Sequence, residues 1–535
     1  MKKRLPIVAI LIISIVPTLI AATRPRLVIF ISVDQMRADY LERFRNNFSG
    51  GLKRLTEEGA VFRNADLNYG PSETGPGHAA LSTGCYPSKS GILSNDWFDP
   101  TTRKDVYCVE DTSAEKVGSE GGGVSPRNLQ VTALGDWLKQ ASPQSRVIAV
   151  SVKDRAAILM GGQHADYAFW YDSKSGHMVT SEYYTHSEPD WARSFNESNW
   201  VEHHVPDAWT TLHPSQYYNS FGPDTLQGEM MWSGSTAFPH PFSPKKRNEQ
   251  ILRSPYGDML VLDFARSALQ AEKLGQQTSV DLLCISLSCT DYIGHAFGPN
   301  SREMADQMIR LDASLGSFLS DAERIVGRGN IVVALSADHA VMPLPEYTVN
   351  VKHGFARRIS PQTVINPAIE ALDRSLEQEL GTTEHVIQSD AFLNYAAAMK
   401  AGIDSVKLEG RVKEGLLKLD GIADVYFRRE LRDNSTPDRP FLEMVRRGYF
   451  PGRGKDFLIR FCENCLITSS KTGTSHGSPY DYDTRVSLVF WGTGIKSESV
   501  DRDVHTVDIA PTLAKILGLQ CPNYVDGHPL DEVAR

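Results

Sequence analysis

Three nearly continuous apolar runs in this sequence each end at or just before an aspartate. The runs are 26–33, 281–288 and 330–336, and the aspartates are Asp34, Asp291 and Asp338. Continuous apolarity, rather than alternation, is typical of parallel strands that are covered on both faces. Helical patterns separate the runs, which indicates a doubly wound α/β architecture. We predict a mostly parallel sheet sandwiched by helices, with the aspartates at the carboxyl edge, where open α/β sheets bind ligands.

Two further apolar runs, 145–153 and 486–491, are predicted as additional strands of this sheet. We assign 23–535 to one catalytic domain with two insertions. The segment 162–254 is rich in Trp, Tyr, Ser, His and Pro, and we interpret it as a surface insertion that shapes a substrate cleft. The segment 341–461 is predicted as a smaller α+β subdomain.

Helices and one strand are predicted at defined places around and within these segments. The predicted helices are 40–58, 130–141, 300–325, 367–380 and 405–418, and the predicted strand of the subdomain is 423–427.

The N-terminus has the pattern of a secretory signal peptide. A basic start at 1–4 precedes an almost wholly apolar stretch at 5–20, and Ala21-Ala22 offers small residues for cleavage. The alternative is an uncleaved membrane anchor, but the stretch is short for a span and Pro17 interrupts it. We therefore predict a signal peptide at 1–22, and a periplasmic or secreted mature protein without stable membrane insertion.

Charge limits the classes of partner. The chain has 535 residues, and its formal net charge of −9 argues against nucleic-acid binding, which usually requires a basic face. An anionic substrate remains compatible with this charge, because bound metal ions reverse the local field. We expect a monomer that acts on small molecules.

The cysteines indicate one disulfide and several core residues. The chain has seven cysteines, so at least one thiol is free or pairs between chains. Cys462 and Cys465 have the spacing of a redox or zinc half-site, but no second pair lies nearby, and we predict a structural disulfide. Cys284 and Cys289 flank the end of a buried strand and are predicted as small core residues.

The strand-end aspartates and their accompanying histidines predict a metal site. Carboxylates that converge at one sheet edge repel each other unless cations share the site. Alone, a strand-end aspartate is often only a helix N-cap, and Asp-His dipeptides occur by chance, so the hypothesis depends on the whole set. Mixed aspartate and histidine ligands without a thiolate suit catalytic zinc, although manganese and iron remain alternatives. The accompanying histidines are His295, His339 and His476.

A threonine in a Gly-Pro-Gly turn is the candidate nucleophile. Thr74 precedes Gly75-Pro76-Gly77, and a short apolar stretch with helix formers follows. This arrangement places a hydroxyl at the mouth of a helix, facing an anionic ligand. A free threonine is a poor nucleophile, so it needs a base or a metal ion to activate it.

Taken together, these motifs resemble the alkaline phosphatase superfamily. The closest resemblance is to its nucleotide pyrophosphatase/phosphodiesterase branch and to the PafA-like alkaline phosphatases, which use a threonine nucleophile. The resemblance covers almost the whole mature chain, and the segment 505–513 is similar to the C-terminal helix of the superfamily. The motifs are Val33-Asp34, Thr74-Gly75-Pro76-Gly77-His78, Thr290-Asp291-Tyr292-Ile293-Gly294-His295, Ala337-Asp338-His339 and Thr474-Ser475-His476-Gly477.

The resemblance implies two Zn²⁺ ions per chain and a covalent phosphothreonine intermediate. One implied zinc site consists of Asp291, His295 and His476. The other consists of Asp34, Asp338 and His339, with Thr74 as an exchangeable ligand.

The ester class depends on additional positive donors. Lys153 ends the strand run 145–153 and Arg155 lies two residues further, and the two resemble the Lys-x-Arg pair with which PafA-like phosphatases bind the phosphoryl group. Asn95 resembles their oxyanion-binding asparagine. Because a monoester dianion needs donors for oxygens that the metals do not reach, we predict an exported alkaline phosphatase that acts on phosphate monoesters. The alternatives are a phosphodiesterase or nucleotide pyrophosphatase, and a non-catalytic metal- or phosphate-binding protein.

Overall fold

The computed structural model describes residues 24–388, 391–433 and 435–534. The predicted signal peptide at 1–22 lies outside these residues. None of the helices within them combines the length and the apolar character that a membrane span requires.

The strands of the described residues are numbered in chain order. They are β1 (Leu27–Val33), β2 (Ala60–Asp66), β3 (Asp96–Asp99), β4 (Lys104–Tyr107), β5 (Lys116–Val117), β6 (Val147–Ser151), β7 (Tyr167–Asp172), β8 (His177–Ser181), β9 (Ala208–Trp209), β10 (His240–Pro241), β11 (Asp281–Leu287), β12 (Ile331–Ser336), β13 (Arg357–Ile359), β14 (Ile387–Gln388), β15 (Phe392–Leu393), β16 (Ile422–Phe427), β17 (Phe457–Phe461), β18 (Cys465–Ile467), β19 (Arg485–Gly492) and β20 (Glu498–His505).

The α-helices of the described residues are numbered in the same way. They are α1 (Tyr40–Arg43), α2 (Gly51–Glu58), α3 (Thr74–Thr83), α4 (Pro87–Ser90), α5 (Leu134–Ala141), α6 (Asp154–Gly161), α7 (Asp190–Glu197), α8 (Trp200–His204), α9 (Arg247–Gln250), α10 (Pro255–Ala271), α11 (Cys289–Phe297), α12 (Arg302–Val326), α13 (Pro345–Asn350), α14 (Asn366–Leu380), α15 (Tyr395–Lys400), α16 (Ser405–Leu417), α17 (Arg428–Arg432), α18 (Leu442–Gly448), α19 (Asp481–Thr484) and α20 (Ile509–Leu517).

A ten-stranded mixed sheet forms the centre of the molecule, in the order β20-β2-β19-β12-β1-β11-β6-β7-β8-β5. The predicted strands are all present, and helices flank the sheet, which confirms the doubly wound α/β architecture. The pairings of β1 with β11 and β12, of β11 with β6, of β6 with β7 and of β2 with β20 are parallel. The predicted strand at 486–491 is β19, which runs antiparallel to both of its neighbours.

The register of the three central strands positions the site. Ser32 of β1 lies opposite Ser286 of β11 and opposite Ser336 of β12, so the strands end at the same level. All three strands are fully buried, as their continuous apolarity predicts. The chain segments that follow them, with the predicted aspartates, therefore leave the sheet side by side.

The prediction of one helix at 40–58 is wrong in its middle. The helix α1 ends at Arg43, and α2 begins only at Gly51. The cause lies far along the chain, because Asp312 of α12 replaces the missing helical hydrogen bonds. Its carboxylate accepts hydrogen bonds from the N–H groups of Ser49 and Gly50, both at 2.6 Å, and of Lys53 at 3.0 Å. The carboxylate thus caps α2 at its N-terminus.

The helix predicted at 130–141 starts later than expected, at Leu134. Asp136 in its first turn accepts the Ala133 N–H at 2.7 Å, which fixes the helix start at this point. The helices predicted at 300–325, 367–380 and 405–418 are present as α12, α14 and α16 within one or two residues.

The two predicted insertions differ from each other in structure. The segment 162–254 begins with β7 and β8, which belong to the central sheet, so its description as a surface insertion is wrong for these strands. The segment 341–461 contains β16 and β17, which pair with each other outside the central sheet. A separate apolar cluster lies between this pair and the helices α14 and α16, in line with a subdomain that has its own core.

The cysteines occupy the predicted environments. Cys462 and Cys465 form a disulfide in the turn between β17 and β18. Cys284 and Cys289 are reduced and buried, as expected for small core residues.

Candidate active site

Thr74 is the first residue of α3 and is almost fully buried at the carboxyl edge of the sheet. The helix approaches this edge closely because of Gly77. A Cβ atom at Gly77 would lie 2.4 Å from the main-chain oxygen of Asp338, which is too close for any other residue. The close approach brings the helix N-terminus, and with it the threonine hydroxyl, to the ends of β1, β11 and β12.

The first predicted metal set is assembled. His295 Nε2 lies 3.1 Å and His476 Nε2 3.7 Å from Asp291 Oδ1. The opposite ring nitrogens bind main-chain carbonyls, His295 Nδ1 to Thr474 at 2.8 Å and His476 Nδ1 to Ser72 at 2.6 Å. All three side chains offer ligand atoms within 4.8 Å of one another, so they can hold one metal ion.

The second predicted set also converges. His339 Nε2 lies 3.4 Å from Asp34 Oδ1 and 3.5 Å from Asp338 Oδ2. Within the described residues, these three buried atoms have no hydrogen-bond partner, and His78 Nδ1 forms an ion-pair contact of 3.2 Å with Asp338 Oδ2. Buried polar atoms are normally paired, and three convergent unpaired ligand atoms fit a cation between them. Asp291 also offers a ligand atom within 4.8 Å of Asp34 and His339, so Asp291 lies between the two sets.

The protonation of the ligands reflects their mutual proximity. Burial and the Asp338 carboxylate raise the pKa of Asp34 to about 6. Burial alone would raise the pKa of Asp291, but His295 and Lys153 hold it well below its usual value. Burial, together with the nearby imidazoles of His339 and His295, lowers the pKa of His476 well below its usual value. A neutral imidazole and ionised carboxylates are the forms that bind metals.

Two cationic side chains reach the threonine hydroxyl. Lys153 Nζ and Arg155 Nη2 each lie 3.4 Å from Thr74 Oγ1. Lys153 Nζ also donates to Asp34 Oδ2 and Asp291 Oδ2, both at 2.6 Å. Burial alone would lower the pKa of Lys153, but the two carboxylates outweigh it and raise the pKa above its usual value. The ammonium group therefore stays charged beside the candidate nucleophile.

Asn95 contacts the residue that follows Thr74. Its Oδ1 accepts the N–H of Gly75 at 2.8 Å, which leaves the NH₂ side of the amide as the donor. Glu73 holds the segment that carries Asn95, since its carboxylate accepts hydrogen bonds from Ser94 Oγ at 2.8 Å and from Asn95 N–H at 2.7 Å. Every predicted site residue is thus brought to the same sheet edge.

Sequence reasoning missed Gln35, which contacts both predicted metal sets. Its main-chain N–H donates to Asp338 Oδ1 at 3.1 Å, and its Nε2 donates to Asp291 Oδ1 at 2.6 Å. Gln35 has a positive φ of 69°, and Gly294 leaves the space that its side chain fills. Its position directly after Asp34 was the available signal, but a glutamine carries no pattern that indicates this role.

A third group of possible ligands, Asp373, Glu377 and His385, lies in the segment 341–461. His385 is mostly exposed, and its Nδ1 lies 2.6 Å from Asp373 and 2.9 Å from Glu377. We interpret this group as a surface ion pair, because the same nitrogen already satisfies both carboxylates.

The described architecture defines a class of protein. A mixed α/β sheet carries possible metal ligands and a helix-terminal threonine at one edge, which is the arrangement of an alkaline-phosphatase-like hydrolase. The sequence profile described as type I phosphodiesterase / nucleotide pyrophosphatase matches residues 28–453. The chain belongs to this family.

Individual relatives extend over nearly the whole chain. Alkaline phosphatase PhoV of Synechococcus elongatus is 35% identical over 95% of this chain and 92% of its own length. Alkaline phosphatase PafA of Elizabethkingia meningoseptica is 34% identical over 96% of this chain and 95% of its own length. The crystal structure of wild-type PafA superposes with a TM-score of 0.89 at 33% identity and covers 96% of this chain and 100% of that chain. This agreement confirms the predicted family and fold.

Proposed function

We propose that this protein is an exported, zinc-dependent alkaline phosphatase that hydrolyses phosphate monoesters through a phosphothreonine at Thr74. The relatives named alkaline phosphatase support the activity. The observation that carries the ester class is that Lys153 Nζ and Arg155 Nη2 both lie 3.4 Å from Thr74 Oγ1.

Two divalent cations held by the predicted ligand sets would lower the pKa of a bound hydroxyl group and offset negative charge on the phosphoryl oxygens. Asp291, His295 and His476 would hold one of them. Asp34, Asp338 and His339, whose unpaired atoms converge within the described residues, would hold the other.

The side chains of the protein supply the remaining steps. Thr74 loses its hydroxyl proton to solvent and its Oγ1 bonds to phosphorus, while the bond from phosphorus to the leaving-group oxygen breaks and that oxygen takes up a proton from solvent. Water then cleaves the phosphothreonine and releases inorganic phosphate. Lys153 and Arg155 donate to the non-bridging oxygens during both steps, and the amide NH₂ of Asn95 donates to a third position.

A monoester and a diester differ in the number of non-bridging oxygens that these donors can bind. A monoester dianion presents three non-bridging oxygens, whereas a diester presents two and carries a second organic group. Buried cations beside the nucleophile favour the dianion, because their charge is not screened by water. We therefore expect a preference for monoesters.

The first test compares p-nitrophenyl phosphate with its methyl diester at alkaline pH. The wild-type protein should have the higher kcat/KM for the monoester. Lys153→Ala and Arg155→Ala should each lower monoester kcat/KM by about 100-fold or more, because each removes a donor to the transition state. A clear preference for the diester would favour the alternative of a phosphodiesterase or nucleotide pyrophosphatase, to which the family description also points.

The second test concerns the nucleophile. Thr74→Ala should lower turnover by at least about 1,000-fold, since no other group can form the covalent intermediate. Metal analysis should still find two zinc ions per chain in this variant. Full activity would refute the assignment of Thr74, and a metal-loaded wild type that hydrolyses no phosphate ester would support a non-catalytic binding protein.

Export is proposed from the N-terminal pattern at 1–22. N-terminal sequencing of the protein secreted or released from the periplasm should begin at Thr23. A mature chain that retains the apolar stretch would favour the membrane anchor instead. Light scattering on the same material tests the predicted monomer.

A further inference from the structure

We propose that Tyr107 is a positioning residue that orients Arg155 toward the phosphoryl group and thereby strengthens the preference for monoesters. The inference rests on the proposed function, because it concerns how the same site binds a phosphate dianion. Four contacts around the phenol oxygen and the guanidinium group carry it.

The hairpin of β3 and β4 brings Tyr107 to the site. It starts directly after Asn95, and Tyr107 at the end of β4 lies opposite Asp96. The N–H of Cys108 donates to the carbonyl of Asn95 at 2.9 Å and closes the hairpin at this point. The candidate phosphate-binding amide thus directly precedes one strand of the hairpin, and the phenol lies at the end of the other strand.

The phenol oxygen has two partners, both from the start of α6. It donates to Asp154 Oδ1 at 2.5 Å and accepts from Arg155 Nη1 at 3.4 Å. Asp154 Oδ1 also accepts the main-chain N–H of Arg155 at 2.7 Å. A hydroxyl group that donates to a carboxylate directs its lone pairs elsewhere, so Asp154 turns the acceptor side of Tyr107 toward the guanidinium group.

The guanidinium group transmits this contact to the reaction site. Its N–H groups lie in one rigid plane, so a hydrogen bond to Nη1 also fixes the direction of Nη2, which lies 3.4 Å from Thr74 Oγ1. Within the described residues, Tyr107 and Thr74 are the side chains that hydrogen-bond Arg155, and its buried Nε has no partner. Without the phenol oxygen, the 3.4 Å contact with Thr74 would be the remaining side-chain hydrogen bond of the guanidinium group within the described residues.

The expected effect is selective for the ester class. In a monoester, Arg155 can bind a non-bridging oxygen that a diester replaces by an esterified oxygen. A misaligned guanidinium group should therefore weaken the transition state of monoester hydrolysis more than that of diester hydrolysis.

The test is a double-mutant cycle of Tyr107→Phe and Arg155→Ala, measured with p-nitrophenyl phosphate and its methyl diester. Tyr107→Phe keeps the ring and removes only the hydroxyl group. It should lower monoester kcat/KM by about tenfold, the effect of losing a hydrogen bond to a charged group, with a much smaller loss for the diester. In the Arg155→Ala background the same substitution should have no further effect. Tyr183→Phe removes the hydroxyl of an exposed tyrosine that donates to the Gln163 carbonyl, and serves as the control.

The outcomes separate this inference from the proposed function. Equal losses for both esters, a loss that persists in the Arg155→Ala background, or an unchanged Tyr107→Phe variant would each overturn the role of Tyr107. A wild-type protein that prefers the diester would overturn the proposed function itself, whatever the variants do. Asp154→Ala, which removes the acceptor of the phenol hydrogen bond, should reproduce the selective loss of Tyr107→Phe, and an unselective loss would count against the inference.

Discussion

The three histidines of the predicted metal sets have the same tautomer. A main-chain carbonyl only accepts, so Nδ1 is the protonated nitrogen in His295, His476 and His339, which bind Thr474, Ser72 and Ala340, respectively, the last at 3.0 Å. In each ring, Nε2 therefore presents its lone pair to the site. Such partners fix the ring orientation before any metal binds, which increases affinity by preorganisation.

We expect Gln35 to fix the orientation of the Asp291 and Asp338 carboxylates, as the main-chain carbonyls fix the orientation of the imidazoles. Gln35→Leu removes the hydrogen bond from Nε2 to Asp291 but leaves the main-chain N–H on Asp338. We expect the zinc affinity to fall by about 10- to 100-fold, the usual cost of losing such an outer partner. Competition with a zinc chelator measures it.

The control for this substitution is Gln163→Leu, which removes a hydrogen bond from the loop between α6 and β7 to the Leu129 carbonyl. Its zinc affinity should equal that of the wild type. An unchanged affinity in Gln35→Leu would show that Asp291 holds its position without the glutamine.

The position of α3 at the sheet edge depends on the absence of a side chain at Gly77. Gly77→Ala would place a methyl group 2.4 Å from the main-chain oxygen of Asp338. Relief requires α3 to move away from the sheet edge, so we expect a loss of about 1–3 kcal/mol in the free energy of unfolding. Chemical denaturation measures it, and monoesterase activity should fall because Thr74 moves with the helix.

Gly410→Ala is the matched comparison at the same scale. Gly410 lies inside α16, is exposed, and has open space where its Cβ would be. Here the same substitution should stabilise the protein by about 0.5–1 kcal/mol, because alanine favours the helix. Destabilisation by both substitutions would show that crowding at Asp338 is not the cause of the effect at Gly77.

The elements that sequence reasoning identified are those whose signal is local. Continuous apolar runs predict the buried strands β1, β11 and β12, and the aspartates that follow these strands lie in the same segments. The break between α1 and α2 could not be predicted, because its cause, Asp312, is more than 250 residues away in the chain. Likewise, β7 was hidden in a segment of aromatic residues, whose role as a strand depends on pairing with β6.

Residue roles that depend on the main chain or on a distant partner also could not be predicted from the sequence. Gln35 acts partly through its N–H, which every residue except proline possesses. Tyr107 acts through Arg155, and their contact depends on how the hairpin of β3 and β4 folds over α6. The candidate nucleophile and the candidate metal ligands could be proposed from the sequence, in contrast, because their chemistry limits them to a few residue types.

For the whole molecule, the metal ions are expected to be part of the stability of the fold. The carboxylates of Asp34, Asp291 and Asp338 are buried together at one sheet edge. Removal of metal by a chelator should lower the free energy of unfolding by about 3–4 kcal/mol per site, if each ion is present at 100 to 1,000 times its Kd. Thermal unfolding before and after zinc is restored measures this loss.

The group of Asp373, Glu377 and His385 provides the control for that experiment. If it is only an ion pair, His385→Gln should leave the effect of the chelator unchanged. A smaller effect in this variant would show that part of the metal-dependent stability comes from the segment 341–461.

The strand order of the central sheet also sets when the site can exist during synthesis. β1 lies at the centre and is made first, yet its neighbours β11 and β12 follow some 250 to 300 residues later. His476 is added roughly 440 residues after Asp34, a delay of roughly 20 to 90 s at ordinary translation rates. A nascent chain that ends before His476 therefore cannot bind metal with the complete ligand set. Because ligand type alone discriminates weakly between divalent metals, the metal supply of the compartment in which folding is completed decides which ion the enzyme carries.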